Sequence, residues 1–331
     1  MKVVIPLAGF GTRLRPHTYT KPKPLVNVAG KPVLGHILDK LCYLDVEEVL
    51  FIVGYLGDQI EHYVKANYSY PARFIEQKEL LGQAHALYLA REALTGPLVI
   101  IFVDTIFDTD LSALATEPAD GVIYVKEVED PRRFGVVVVR DGQITQLIEK
   151  PDSMENNLAV IGLYYIKDAQ SLMQSIGELI DRDIKTKGEY FLADALQVMI
   201  DRGARFRAET VDVWEDCGKP ETVLQTNRYL LRQSGGHVNR VDNSVIIPPV
   251  YIADSAQVSE SVIGPYVTIA EDSVVRQSII QDSIINKGAL IEDAMLVESL
   301  IGDNAVVRGT FDRLNVGDSS QVDQKCNGTI C

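Results

Sequence analysis

The opening run Lys2-Val-Val-Ile-Pro-Leu7 passes without a break into Ala8-Gly-Phe-Gly-Thr-Arg-Leu-Arg-Pro-His-Thr18, and Lys21-Pro-Lys-Pro-Leu25 and Gly30-Lys-Pro-Val33 follow closely. A short, mostly apolar run is the mark of a strand covered on both faces, as in a parallel sheet. In the loop after it, Gly9 and Gly11 let the backbone approach a ligand and turn successive N–H groups toward anionic oxygens. Arg13 and Lys23 supply cations. The bland reading, an ordinary glycine turn, leaves unexplained why glycines, cations and a rigid Pro-Lys-Pro fall within one loop, so phosphate binding is the expectation. A dinucleotide fingerprint would need a third glycine where Leu14 stands, and a Walker loop would need Gly-Lys-Ser/Thr.

Outward from this loop the strand signature recurs at Val49 to Gly54, Ala72 to Gln77 and Leu98 to Val103. Helical spacing of apolar residues fills Val33 to Leu44, Asp58 to Lys65 and Gly82 to Leu94. Strand alternating with helix predicts an α/β fold, a doubly wound and mainly parallel sheet. From Gly121 the pattern turns strand-rich: Val122 to Val128, then Gly135 to Val139 and Ile144 to Glu149 about Asp141-Gly142, a hairpin signal. Helices follow at Tyr190 to Arg202, closed by Gly203, and at Pro220 to Arg232 with proline in the first turn.

A second regime begins at Ser234-Gly235-Gly236, which reads as a linker over 234–244. Branched apolar residues then recur every five or six positions: Ile252, Val258, Ile263, Ile269, Val275, Ile280, Ile285, Ile291, Leu296, Ile301 and Val307. That period predicts a parallel β-helix of hexapeptide repeats over 245–317, each coil burying its apolar row against the next. The expected domains are therefore 1–233, the β-helix, and a polar tail over 318–331.

The chain has 331 residues, 46% hydrophobic and 24% charged, enough for two cores. Its 46 acidic and 32 basic residues leave a net charge of -14, which repels nucleic acid and anionic lipid. An anionic ligand must therefore be held by a few placed cations. Neither a basic leader nor an apolar span of about 20 residues is present, so the cytoplasm is the expected location. The four cysteines, Cys42, Cys217, Cys326 and Cys331, are too few and scattered for a disulfide framework, and the last two suggest a frayed end. His17, His36, His62 and His85 read as structural or surface residues, since no nucleophile is placed beside them.

The loop motifs resemble those of the sugar nucleotidylyltransferases, and within them the glucose-1-phosphate thymidylyltransferase-like members with a C-terminal left-handed β-helix. The resemblance spans nearly the whole chain; Gly-x-Gly-Thr-Arg-Leu with Pro-Lys-Pro-Leu is specific to that family, whereas hexapeptide repeats are shared with acyltransferases. It implies that Leu7, Ala8, Gly9, Gly11, Thr12 and Arg13 form the triphosphate loop and that Lys23 meets phosphate at the reacting centre. It implies that Gln77 and Gly82 read the nucleobase edge. Asp104 and Asp216, the latter in Trp214-Glu-Asp-Cys-Gly218, are implied as ligands for Mg²⁺. Glu149-Lys150-Pro151 is similar to the family's sugar site, Glu149 accepting sugar hydroxyls and Lys150 meeting the sugar phosphate. Gly135, Val160 and Tyr164 resemble its other sugar-pocket positions.

The implied reaction joins a nucleoside triphosphate to a sugar 1-phosphate: dTTP and glucose 1-phosphate by resemblance, with UTP the alternative, because Gln77 suits the imide edge of thymine and uracil alike. Positioning and charge neutralisation suffice for it, since the attacking phosphate oxygen is already ionised. Val103 stands where the family shows glycine before the metal aspartate, and Ala8 where many members have glycine. A noncatalytic sugar-nucleotide-binding subunit on the same fold is the competing class, disfavoured by the retention of both carboxylates and the cations. An acyltransferase β-helix is disfavoured because no histidine follows His237. The β-helix is expected to be structural, with subunit contacts making a homo-oligomer.

Overall fold

The computed structural model describes residues 1–238, 241–311 and 313–323; Cys326 and Cys331 lie outside the described residues. The chain forms two compact units, Met1–Phe10 with Ile37–Trp214 and Gly11–His36 with Glu215–Cys331.

The first unit is built on a sheet whose path runs Gln143–Glu149, Gly135–Arg140, Leu158–Ile166, Leu98–Ile101, Lys2–Pro6, Glu48–Val53, Ala72–Glu76. The last four strands pair in parallel. Their apolar runs are continuous because both faces are covered: Val3, Val4, Ile5, Leu50, Phe51 and Ile52 are fully buried. Lys2–Pro6 lies between Glu48–Val53 and Leu98–Ile101, so the order of strands reverses there. Leu158–Ile166 then pairs antiparallel with Leu98–Ile101 and with Gly121–Glu127, whose other neighbour, Phe206–Thr210, is parallel.

The predicted hairpin joins Gly135–Arg140 to Gln143–Glu149 through Asp141 and Gly142, both at positive φ (50° and 75°), as a two-residue turn demands. The helix expected over Gly82 to Leu94 spans Gln83–Leu89, and the chain then tightens, Ala90 O accepting the N–H groups of Ala93 and Leu94. A helix that the sequence reading did not anticipate, Ala169–Asp181, begins where the Asp168 carboxylate accepts the Gln170 N–H at 3.0 Å and the Ser171 hydroxyl at 2.6 Å. It packs Leu172, Met173, Ile176 and Leu179 into the core.

In the second unit the repeats wind into a parallel β-helix. Ile252, Ile269, Ile285, Ile301 and Val316 stand in register down one face, and Val258, Val275, Ile291, Val307 and Val322 down another. All eleven residues of the repeat are at most 4% exposed. The corners turn through left-handed residues in matching rows, such as Glu260, Gln277 and Asp293, or Asp272, Gly288 and Asn304. Serines close the backbone accounts at the corners: Ser261 Oγ accepts the Ser278 N–H at 3.1 Å, and Ser278 Oγ the Ala294 N–H at 3.2 Å. The coil continues to Gln321–Asp323, paired with Val306–Arg308. No helix among the described residues is long and apolar enough to cross a membrane.

Candidate active site

In the first unit Leu7, Ala8 and Gly9 leave the carboxyl end of Lys2–Pro6, and Phe102, Val103 and Asp104 leave that of the adjacent Leu98–Ile101. Loops at the carboxyl ends of two strands where the winding reverses are where open α/β sheets bind ligands. Ala8 is accommodated by a glycine across from it: a Cβ on Gly54 would stand 2.7 Å from Ala8 O and 3.1 Å from its methyl. Gly9 has an ordinary φ, and a Cβ there would meet nothing within 4 Å. The space beside Gly9 is therefore open among the described residues. Val103 also keeps a backbone conformation open to any residue.

Beside this, Tyr164 is buried, and burial raises its phenol; Glu149 and then Asp104 push it further in the same direction, so both carboxylates lie near one ring. The strand carrying it breaks register between Val160 and Tyr164 at Gly162, whose carbonyl accepts the Phe102 N–H at 2.8 Å. Such bulges re-aim side chains beside active sites. Glu149 sits across from Gly135, where a Cβ would come within 3.0 Å of its Oε2. Burial holds the Glu149 carboxyl above the usual range, Lys150 at 3.6 Å moderates this, and Asp194 reinforces it. Lys150 Nζ lies 5.1 Å over the Phe191 ring, and Lys187 donates to the Lys150 carbonyl at 3.1 Å. Trp214 ties the group together, donating to Thr105 Oγ1 at 3.1 Å and meeting the Phe134 ring edge-on at 4.9 Å.

Gln77 is buried at the end of Ala72–Glu76, its N–H donating to Val53 O at 2.8 Å. Its amide nitrogen reaches Gly82 O at 3.4 Å and His85 Nδ1 at 3.3 Å. Burial lowers the His85 imidazole, and in its neutral form Nδ1 accepts from Gln77, which fixes the amide's orientation on this hydrogen-bond pattern. Gly82 is held at φ 113° against Tyr190, whose carbonyl would be 2.6 Å from a Cβ.

The remaining predicted residues gather in the second unit. Gly11, at φ 61°, opens the short turn Thr12–Leu14, and a Cβ there would strike Lys23 Cβ at 2.9 Å. Arg13 Nη2 and Asp216 Oδ1 flank Gly218, 3.1 and 2.8 Å from where its Cβ would stand, and Asp216 Oδ1 accepts the Gly218 N–H at 2.7 Å. Residues about 200 positions apart in sequence are thus neighbours here. Asp104, in the first unit, and Asp216, in the second, each carry hard carboxylate oxygens, the donor type that Mg²⁺ takes. The motifs assign no role to Asp194 or Lys187, His85 reads from sequence as a structural or surface residue yet meets the Gln77 amide, and Trp214 is signalled only by the Trp-Glu-Asp-Cys-Gly run.

The family model for nucleotidyl transferases matches residues 2–233. The chain belongs to that family. A model for the GlmU-like C-terminal hexapeptide region matches residues 233–285. This nucleotidyl transferase is 31% identical to the low-salt glycan biosynthesis nucleotidyltransferase of Haloferax volcanii, over 97% of this chain and 99% of the relative. It is 30% identical to the glucose-1-phosphate thymidylyltransferase of Streptomyces griseus, again over 97% and 99%. The UTP-glucose-1-phosphate uridylyltransferase of Haloferax volcanii is 35% identical over 71% of this chain and 98% of that relative. A solved UDP-glucose pyrophosphorylase complexed with UDP-glucose shares the fold, with a TM-score of 0.62 at 22% identity over 70% of this chain and 98% of that one.

Proposed function

We propose that this nucleotidyl transferase joins dTTP to glucose 1-phosphate, giving a nucleoside-diphosphate sugar and pyrophosphate. The observation that carries the sugar-phosphate half is the grouping of Asp104, Gly135, Glu149, Lys150 and Tyr164 in the first unit. Gly135 leaves room for the Glu149 carboxylate, which accepts hydrogen bonds from the sugar hydroxyls, and Lys150 meets the phosphate. In the same reading Gly9, Gly11, Thr12 and Arg13 bind the triphosphate, Lys23 neutralises charge at the α-phosphate, and Gln77 with Gly82 reads the base.

A sugar-phosphate oxygen attacks the α-phosphorus, a P–O bond forms, and the bond to the bridging oxygen breaks, its electron pair leaving with pyrophosphate. The attacking oxygen is ionised at neutral pH, so the protein needs no general base; it must bring two polyanions together and neutralise them. Mg²⁺ held by Asp104 and Asp216 would supply further charge neutralisation at the phosphates.

Uridylyl transfer is the second reading, favoured by the uridylyltransferase relative and by an imide edge common to uracil and thymine. The test is pyrophosphate release from dTTP, UTP, CTP, ATP and GTP, each with glucose 1-phosphate and mannose 1-phosphate, with and without Mg²⁺. A magnesium-dependent signal with dTTP and glucose 1-phosphate supports the proposal. A signal with UTP alone moves it to the second reading, and silence with nucleotide still bound would favour a noncatalytic binder.

A further inference from the structure

Between Gly11 and Lys23 the chain leans on the β-helix within its own unit. His17, only 4% exposed, sits with Nε2 2.7 Å from Asn315 Oδ1, an atom that can only accept, so the imidazole donates. Lys21 Nζ reaches both oxygens of Asp303, at 2.8 and 2.7 Å. Thr20 donates to Asp318 Oδ2, and Pro16 packs 2.9 Å from where a Cβ on Gly317 would stand. Asp318 and Asp303 are themselves locked, Asp318 Oδ1 accepting the Asp303 N–H at 2.7 Å.

Tyr251, Thr268, Ile284, Leu300 and Asn315 share one register position on successive coils, and its polar members bind residues from outside the coil: Thr268 Oγ1 donates to Asn227 Oδ1 at 2.7 Å, and Asn315 receives His17. On the loop's other side the chain of contacts continues to the phosphate-binding residues. Thr18 Oγ1 donates to Gly11 O at 2.9 Å, and Gly11 packs on Lys23.

We propose that Asp303, Asn315 and Asp318 are positioning residues for nucleotidyl transfer, holding Arg13 and Lys23 in place through Lys21, His17 and Thr20. The inference rests on the nucleotidyl-transfer reading. A loop held before the triphosphate arrives avoids the ordering cost that a mobile loop would meet on binding, so the effect belongs to the nucleotide and not to the sugar phosphate.

Full-length Lys21→Glu and Asp303→Lys, and the pair combined, test it, with Lys21→Met as the milder variant should a charge reversal fail to fold. Each single variant is expected to raise the nucleotide KM by about tenfold to a hundredfold, with the sugar-phosphate KM within about twofold, and the charge-swapped pair to recover most of the loss. Glu292→Gln is the control, removing ion pairs to Arg308 and Arg276 elsewhere on the coils. It is expected to leave both constants unchanged. Hydrogen exchange over residues 11–25 gives a readout free of turnover: faster in the single variants, restored in the pair. If no triphosphate is turned over by the unaltered protein, the functional reading fails while exchange still judges the clamp. Unchanged KM and exchange in the single variants, an equal rise for both substrates, the same loss in Glu292→Gln, or no recovery in the pair would each overturn the proposal.

Discussion

Two glycines, Gly9 and Gly82, separate the demands of ligand from those of fold. A methyl at Gly9 meets nothing and strains nothing, so Gly9→Ala should leave the melting temperature unchanged or raise stability by up to about 1 kcal/mol through the unfolded chain. Its nucleotide KM should nevertheless rise. Gly82→Ala should behave oppositely at first, destabilising by about 1–3 kcal/mol, because the position is left-handed and the Tyr190 carbonyl stands 2.6 Å from the new carbon. Thermal melts paired with KM measurements on both variants check this, and a destabilised Gly9→Ala would refute it. Glu149 carries a cost of another kind. Its carboxyl is raised by burial above the ordinary 4.5, so the unfolded chain ionises first as pH rises and the native state loses stability through and above that value. Glu149→Gln should therefore melt higher than the parent at neutral pH, with the gap closing below pH 4.5, while transfer activity falls sharply. Lys150, half-exposed, keeps its hydration and offsets little of that gain. A variant less stable at neutral pH would mean the ion pair outweighs desolvation.

At the level of elements, the β-helix was legible in the sequence because its apolar row repeats and every member of the row is buried. Ile285 stands between Ile269 and Ile301 with no exposed surface, so Ile285→Ala should cost about 2–5 kcal/mol, since neighbouring coils cannot close over the cavity. Ile279, on an outward position of the same coils and 47% exposed, should tolerate alanine within about 0.5 kcal/mol. Urea unfolding of the two variants compares them directly. The corners were not legible. Glu260, Tyr266, Gln277 and Glu298 are poor choices for positive φ, and the stacking of coils imposes it on them. The helix Ala169–Asp181 does carry a signal in the sequence, Asp168 before an apolar run with helical spacing. Around the site, motifs named individual residues such as Gly9, Gln77, Glu149 and Asp216, each from its own short run. They gave no functional role to His85, Asp194, Lys187 or Trp214. The last three act through contacts with Glu149, Lys150, Thr105 and Phe134 that only the sheet creates, and His85 depends on a loop that folds back to Gln77.

Across the whole molecule, net charge and local burial predict opposite responses to mild acid. Between about pH 7.5 and 5.5 the carboxylates of ordinary pKa stay ionised and imidazoles change charge, so protonation reduces the net charge of -14 and relieves self-repulsion. That relief is spread over exposed, screened groups. His17 is buried, and burial holds its imidazole below the ordinary 6.5 despite the Asn315 hydrogen bond and the nearby carboxylates Asp318 and Asp303, with Lys21 pushing the same way as burial. The folded chain therefore keeps it neutral while the unfolded chain takes up a proton, and stability present above 6.5 is lost as pH falls below it. The concentrated local effect should win, so the melting temperature should fall over this range. His17→Gln preserves a donor for Asn315 Oδ1 and cannot titrate, so its curve should be flatter, though not flat, because burial also lowers His85. A parent curve that rises toward acid would show that net-charge relief dominates. A His17→Gln curve as steep as the parent's would locate the acid sensitivity elsewhere and remove His17 as its source.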